Sequence, residues 1–217
     1  MKAILRNLMS VVRRFKLAAS LNILGLSVAF AAFLVIMIQL DYDYGFDKFH
    51  KDSDKIFRME SIMPMGATAI VSRPIAEAFF ESSPYIVAGA ITNPLSSMFG
   101  GDDVNFQIEI DGKRNSFKEK ILTATSGFTD VFTFDFAEGA PNALQTPDNV
   151  IIPLSLSRKL FGKESAIGQQ LFRPSGNLTV GAVYRDFPTN SSVENIIYSK
   201  IPDDESKQEW GNFSYAA

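Results

Sequence analysis

Apolar and polar positions divide this chain into one long unbroken apolar run and a series of short alternating segments. Residues 17–40, LAASLNILGLSVAFAAFLVIMIQL, hold no charged side chain across 24 positions. As a helix at about 1.5 Å per residue the run reaches roughly 36 Å, enough to cross a hydrocarbon core of about 30 Å with some tilt. A removable signal peptide has a shorter apolar stretch, about 7–15 residues, followed closely by small residues at a cleavage site. Here Ala29, Ala31 and Ala32 sit mid-run and Phe33 to Leu40 continue it, so the pattern predicts a retained transmembrane helix. Upstream, Ile4, Leu5, Leu8, Val11, Val12 and Phe15 fall on one arc of a helical wheel and the basic residues fill the rest. That pattern predicts a basic amphipathic helix over 1–16, lying in the membrane interface against lipid head groups.

After Asp41 the pattern changes. DYDYGFDKFH (41–50) is polar and aromatic, with Gly45 as the expected helix stop, and residues 41–54 read as a juxtamembrane stalk. KIFRMESIM (55–63) alternates apolar with polar and predicts a strand; Tyr85 to Thr92 predicts a second. Ser72 with Pro74 predicts a helix start, the helix running to about Ser83. Val104, Phe106, Ile108 and Ile110 alternate strictly, and Asp111-Gly112 predicts a hairpin turn with a return strand near 116–124. The phenylalanine-dense segment 126–136 predicts a short helix, 149–153 a buried strand, and 155–161 a helix stopped by Gly162. Residues 170–173 and 178–184 predict two strands joined at Ser175-Gly176. Helices and antiparallel-looking strands mix without regular alternation, which makes 55–217 an α+β domain.

Charge orients the chain. Lys2, Arg6, Arg13, Arg14 and Lys16 give the first 16 residues +5 with no acid, whereas the 177 residues after Leu40 carry 24 acids against 16 bases. Basic flanks stay on the cytoplasmic side, so Arg6, Arg13, Arg14 and Lys16 are the candidate topology determinants and the domain is extracytoplasmic. The acidic domain, lacking a basic stripe, argues against a nucleic-acid partner. No cysteine occurs, which excludes disulfides, thiolate metal ligands and a thiol nucleophile.

Chemistry is sparse. The single histidine, His50, has no second histidine to share a metal and no patterned nucleophile to activate, so it reads as a surface or interface residue. Asp41, Asp43, Asp47, Asp52 and Asp54 lack the glycine spacing and terminal glutamate of a calcium loop, and read as a solvated acidic collar. Gly162-Lys163 has Ser157 where a phosphate loop needs glycine, and Glu164 where it needs Ser or Thr. Neither catalysis nor a cofactor is expected.

Several motifs then carry a resemblance. They are Asn22-Ile23-Leu24-Gly25-Leu26 in the apolar run, and Phe46-Asp47, Phe49-His50 and Ile56-Phe57-Arg58 beyond it. Further along come Asp130-Val131-Phe132-Thr133-Phe134 with Glu138-Gly139, then Val150-Ile151-Ile152 with Leu160-Phe161-Gly162 and Ile167-Gly168. Thr179 to Pro188, through Asp186-Phe187-Pro188, and Asn190-Ser191 close the set. In this order and spacing they resemble MacB/FtsX-type ABC transporter permeases, particularly the large permeases of Bacteroidetes-type bacteria. The resemblance implies a MacB-like periplasmic core domain, with a porter-like part and a small inserted lobe. Asn22, Gly25, Phe46, Asp47, Phe57, Arg58, Phe161, Gly162, Gly168, Asp186 and Pro188 would be its structural positions.

It further implies a permease subunit in a bacterial inner membrane, N-terminus cytoplasmic. Its partners would be a separate cytoplasmic ABC ATPase, a second permease copy and a periplasmic partner or substrate. ATPase-driven change would pass through membrane helices to the periplasmic domain, for export or mechanotransmission, with the first helix as a lever. Relatives continue into more domain and at least three further membrane helices, so the chain is expected to be the N-terminal portion of a longer permease. The alternative is a single-pass anchored extracytoplasmic sensor or binding protein.

Overall fold

The structure is a computed structural model, and it describes residues 6, 10, 13–63, 66–93, 103–110, 112–202, 205–211 and 213–217. The chain divides into two compact units, Met1–Phe46 and Asp47–Ala217.

In the first unit, helix α1 (Lys16–Tyr44) runs for 29 residues, none of them buried. Its apolar side chains point outward all round, the arrangement suited to lipid rather than to a packed core. Among the described residues it is the one helix long and apolar enough to cross a membrane. Gly45 stops it where expected, its N–H donating to the Asp41 carbonyl at 2.9 Å. Upstream, Arg6, Ser10, Arg13 and Arg14 are helical and exposed, while Lys2, Ile4, Leu5, Leu8, Val11 and Val12 lie outside the described residues.

The second unit is built on a mixed sheet. The hairpin β4 (Asp103–Ile110) and β5 (Lys113–Ala124) forms as its alternation and turn dictate, with Ile110 opposite Lys113 across a two-residue turn. Gly112 takes φ +71°, the left-handed conformation such turns require. The other strands are β6 (Phe136–Gly139), β7 (Asn149–Pro153), β8 (Gln170–Leu171), β9 (Leu178–Tyr184) and β10 (Ile197–Lys200). The order is β4-β5-β10-β7-β9-β6, with β8 also on β9. β5–β10 and β7–β9 pair parallel and the remainder antiparallel.

Central strands covered on both faces should be apolar without alternation, and β7 reads that way. Val150 and Ile152 enter one core with Phe106, Ile121, Val180, Val183 and Ile197, covered by helix α3 (Leu154–Phe161) through Leu156 and Phe161. Ile151 enters the opposite core with Ala182, Tyr184, Tyr198, Phe128 and Leu144. The register slips between Val150 and Ile151 against β9, and a second slip lies between Phe136 and Glu138 against it. Beside the sheet, a third cluster of Val71, Ala76, Ile91, Ile201 and Tyr215 packs helix α2 (Arg73–Glu81) onto β3 (Ile70–Ser72) and β11 (Phe213–Ala216).

Several expectations are corrected. Residues 55–63 are not one strand: Ser53–Lys55 is a 3-10 turn and Ser61–Met63 (β1) pairs with Gly66–Thr68 (β2). Phe57 is 84% exposed, so its alternation with polar neighbours finds no second layer to bury against. Residues 85–92 form no strand; Thr92 makes only isolated bridges to Ala124 and Ala216. In 126–136 only Phe128–Val131 is helical, and Phe136 starts β6. The expected strand 170–173 shortens to Gln170–Leu171.

Candidate functional site

The residues that follow Phe46 are where the chain first ties into the domain, and three distant segments meet there. Asp47 adopts φ +56°, a left-handed conformation that Asp tolerates better than most residues. That conformation is held from both sides. The Asp47 N–H donates to the Asn190 carbonyl at 2.9 Å, and its Oδ1 accepts the Ser192 N–H at 2.7 Å. Its own carbonyl accepts the His50 N–H at 3.1 Å and closes a tight turn.

Thr133 grips the same turn. Its N–H donates to His50 Nδ1 at 3.1 Å, and its Oγ1 accepts the Lys51 N–H at 2.7 Å. His50 is 3% exposed, in contact with the rings of Phe49, Phe132 and Phe187. The expected surface histidine is therefore buried, because its cover comes from residues about 80 and 137 positions downstream. Desolvation lowers its pKa below the ordinary imidazole value and outweighs Asp47, which acts to raise it.

The loop that receives Asp47 is itself secured. The Asn195 side chain imitates a strand partner, Oδ1 accepting the Phe187 N–H at 2.7 Å and Nδ2 donating to the Phe187 carbonyl at 3.0 Å. Tyr184 Oη donates to the Ile196 carbonyl at 2.7 Å, and Tyr198 Oη to the Glu194 carbonyl at 2.6 Å. Phe134 stacks its edges against Tyr184, Phe187 and Tyr198, which joins this loop to the 132–134 segment. Burial raises the pKa of both tyrosines well above the ordinary phenol value.

Of the sequence-predicted positions, Asp47 lies in this node and Asp186 beside it. Asp186 Oδ1 accepts the Ser155 N–H at 3.1 Å, capping the first turn of α3. Pro188 is exposed on the same loop. Phe161 packs on the sheet, and Gly162 ends α3 at φ +66°. Gly168 takes φ +80° and donates its N–H to the Val180 carbonyl at 2.8 Å. Arg58 pairs with Glu60 at 3.0 Å on the surface, while Asn22, Gly25, Phe46 and the basic residues Arg6, Arg13, Arg14 and Lys16 belong to the first unit. The motifs containing Asp47, His50, Thr133, Phe187 and Asn190 thus converge, whereas Ser192 and Asn195 carried no sequence signal. Of the acidic collar, Asp47 is engaged; Asp52 remains exposed and pairs with Lys55 at 2.6 Å, which lowers its pKa. Among the described residues no group of three or more His, Cys, Asp or Glu stands together to hold a metal ion.

Residues 19–212 match the MacB-like periplasmic core domain family. The chain belongs to that family. A solved domain of a protein from Porphyromonas gingivalis assigned as a permease superposes with a TM-score of 0.55 at 24% identity, covering 69% of this chain and 67% of that one. The likeness supports the fold. The periplasmic region of MacB from Actinobacillus actinomycetemcomitans matches at 14% identity and TM-score 0.42, covering 68% of this chain and 62% of that one. The extracellular domain of the noncanonic ABC-type transporter YknZ from Gram-positive bacteria matches at 17% and 0.41, covering 73% and 77%. Among curated proteins none matches. The family is a membrane-anchored component of ABC transporter permeases, itself non-enzymatic, and such permeases work with ABC ATPases.

Proposed function

We propose that this chain is part of a permease subunit that relays conformational change from a cytoplasmic ABC ATPase across the inner membrane to its periplasmic domain. The observation that carries this reading is the family match over 19–212, which takes in most of α1 and nearly all of the domain. The charge bias supports a cytoplasmic N-terminus: five basic residues and no acid precede Leu17.

The node around Asp47 supplies a place for the relay to begin. Between the last residue of α1, Tyr44, and Asp47 lie only Gly45 and Phe46. Three Cα–Cα steps from Tyr44 to Asp47 span at most about 11 Å when extended, so displacement of the helix end leaves little slack before Asp47 is pulled. In this reading Asn22, Gly25, Asp47, Phe57 and Arg58 are structural positions of the family motif, and the relay works with a second permease copy, membrane lipid and a periplasmic partner or substrate.

The test is reconstitution of the full-length permease with its ATPase in nanodiscs. Residues 1–217 hold no cysteine, so paired cysteines placed in the domain take spin labels once any cysteine elsewhere in the permease is replaced. ATP with vanadate should change label distances in the intact complex, and Asp47→Ala should abolish the change while ATPase binding persists. A protein that binds no ATPase and shows no nucleotide response would overturn the reading in favour of a single-pass sensor or binding protein.

A further inference from the structure

Hydrogen-bond donors cannot change places at the node. The Thr133 backbone N–H is always a donor, so His50 Nδ1, 3.1 Å away, accepts only while it carries no proton. The ring is therefore neutral, with its proton on Nε2. That nitrogen is buried and has no hydrogen-bond partner among the described residues; the nearest acidic oxygen, Asp47 Oδ1, is 3.9 Å away. Asp47 Oδ1 already receives the Ser192 N–H.

We propose that His50 is an acid-released clasp: neutral, it holds Thr133 and seats residues 47–51 on the domain; protonated, it lets them go. Adding a solvent proton to Nδ1 sets two N–H donors against each other and places a full charge among Phe49, Phe132 and Phe187. The loss is shared, because Thr133 Oγ1 also holds the Lys51 N–H and the Asp47 turn is tied to Asn190 and Ser192.

Charged groups on each packed segment bear on the same switch. On the turn itself stand Asp47, Lys48, Lys51 and Asp52. Asp130 and Asp135 flank Thr133, and Arg185, Asp186 and Glu194 flank Phe187. Asp135 is paired with Arg185 at 3.1 Å, Glu194 with Lys120 at 3.0 Å and Asp52 with Lys55, while Asp186 caps Ser155. Asp47 is the charge that acts on His50, and it favours the protonated ring less than burial opposes it. Proton uptake is therefore coupled to opening: the exposed ring binds a proton more readily than the seated one.

This regulation rests on the node being the coupling point, yet it is read with no ATPase present, so its failure is separable from failure of the relay. The 217-residue chain in nanodiscs, labelled with 15N-histidine, gives a one-residue spectrum because His50 is the only histidine among those residues. Near pH 7.5 an unprotonated Nδ1 with protonated Nε2 is expected, titrating below the ordinary value of about 6.5. Amide exchange at Thr133, corrected for intrinsic rate, should rise about tenfold per pH unit between that value and the lower one of the seated ring. Ile151 in β7 should not change. His50→Gln, which keeps an acceptor but cannot titrate, should flatten the Thr133 profile. A protonated Nδ1 in the wild type, titration at or above the ordinary value, or equal acid responses in wild type and His50→Gln would each overturn the clasp. Should His50→Gln fail to fold, the wild-type tautomer and titration midpoint decide by themselves.

Discussion

Asp47 and Ser192 are 145 positions apart in sequence, and the Ser192 N–H donates to Asp47 Oδ1 at 2.7 Å. A charged acceptor on a backbone donor is worth more than a neutral pair, about 1.5–3 kcal/mol when well formed. Here it also holds Asp47 at positive φ. Asp47→Ala should lower stability by about 2 kcal/mol, whereas Asp47→Asn, which keeps an acceptor and tolerates the conformation, should lose less. Denaturant titration of the detergent-solubilised protein gives the comparison; equal losses for the two would remove the side-chain oxygen from the explanation.

Tyr184 and Tyr198 should stay protonated in the folded protein well above the ordinary phenol range, because burial raises both. Their folded pKa values are raised, so the stability tied to them is full below the unfolded value of about 10 and declines as pH climbs beyond it. Absorbance of phenolate during an alkaline titration should show these two ionising only with unfolding. Tyr184→Phe should cost about 1 kcal/mol through the Ile196 carbonyl left without its donor.

Two glycines separate backbone strain from crowding. Gly139 (φ +77°) and Gly112 (φ +71°) both sit in the left-handed region. A Cβ on Gly139 would run into the Gly181 carbonyl and Ala182, while one on Gly112 meets nothing within 4 Å. Gly112→Ala should cost about 1–2 kcal/mol. Gly139→Ala should cost distinctly more, since the β6–β9 pairing must open to admit it. Thermal unfolding of both variants tests the ranking.

Neutralising Arg13, Arg14 and Lys16 together should weaken or invert the membrane orientation, because these residues supply three of the five positive charges before the apolar run. A reporter joined after Lys55 reads the outcome. Exclusive extracytoplasmic location in the triple variant would show that other features set the topology.

Local pattern carried some elements all the way. The uncharged run became α1, the strict alternation of Val104 to Ile110 with Asp111-Gly112 became the β4–β5 hairpin, and Leu178 to Tyr184 became β9. Each depends on neighbours in sequence: lipid-length apolarity, a two-residue period, a turn that needs positive φ. The order of motifs likewise pointed to the family, because spacing along the chain is a one-dimensional property.

Tertiary structure alone decided the rest. β10 is four residues of mixed character, and what makes it a strand is the slot between β5 and β7, parallel to one and antiparallel to the other. Residues 56–60 alternate like a strand but join no sheet, the Met59 N–H reaching the Ala217 carbonyl at 2.8 Å outside any ladder, since alternation describes a surface and not the layer that must cover it. His50 shows the same limit at the site. Nothing near it in sequence announces burial, and its surroundings are assembled from Phe132, Thr133 and Phe187, brought in by the sheet. Burial and hydrogen-bond polarity are properties of three-dimensional neighbours, so the chain determined its membrane helix, its hairpin and its family, and only the folded domain decided that its one histidine would be a neutral acceptor inside the node.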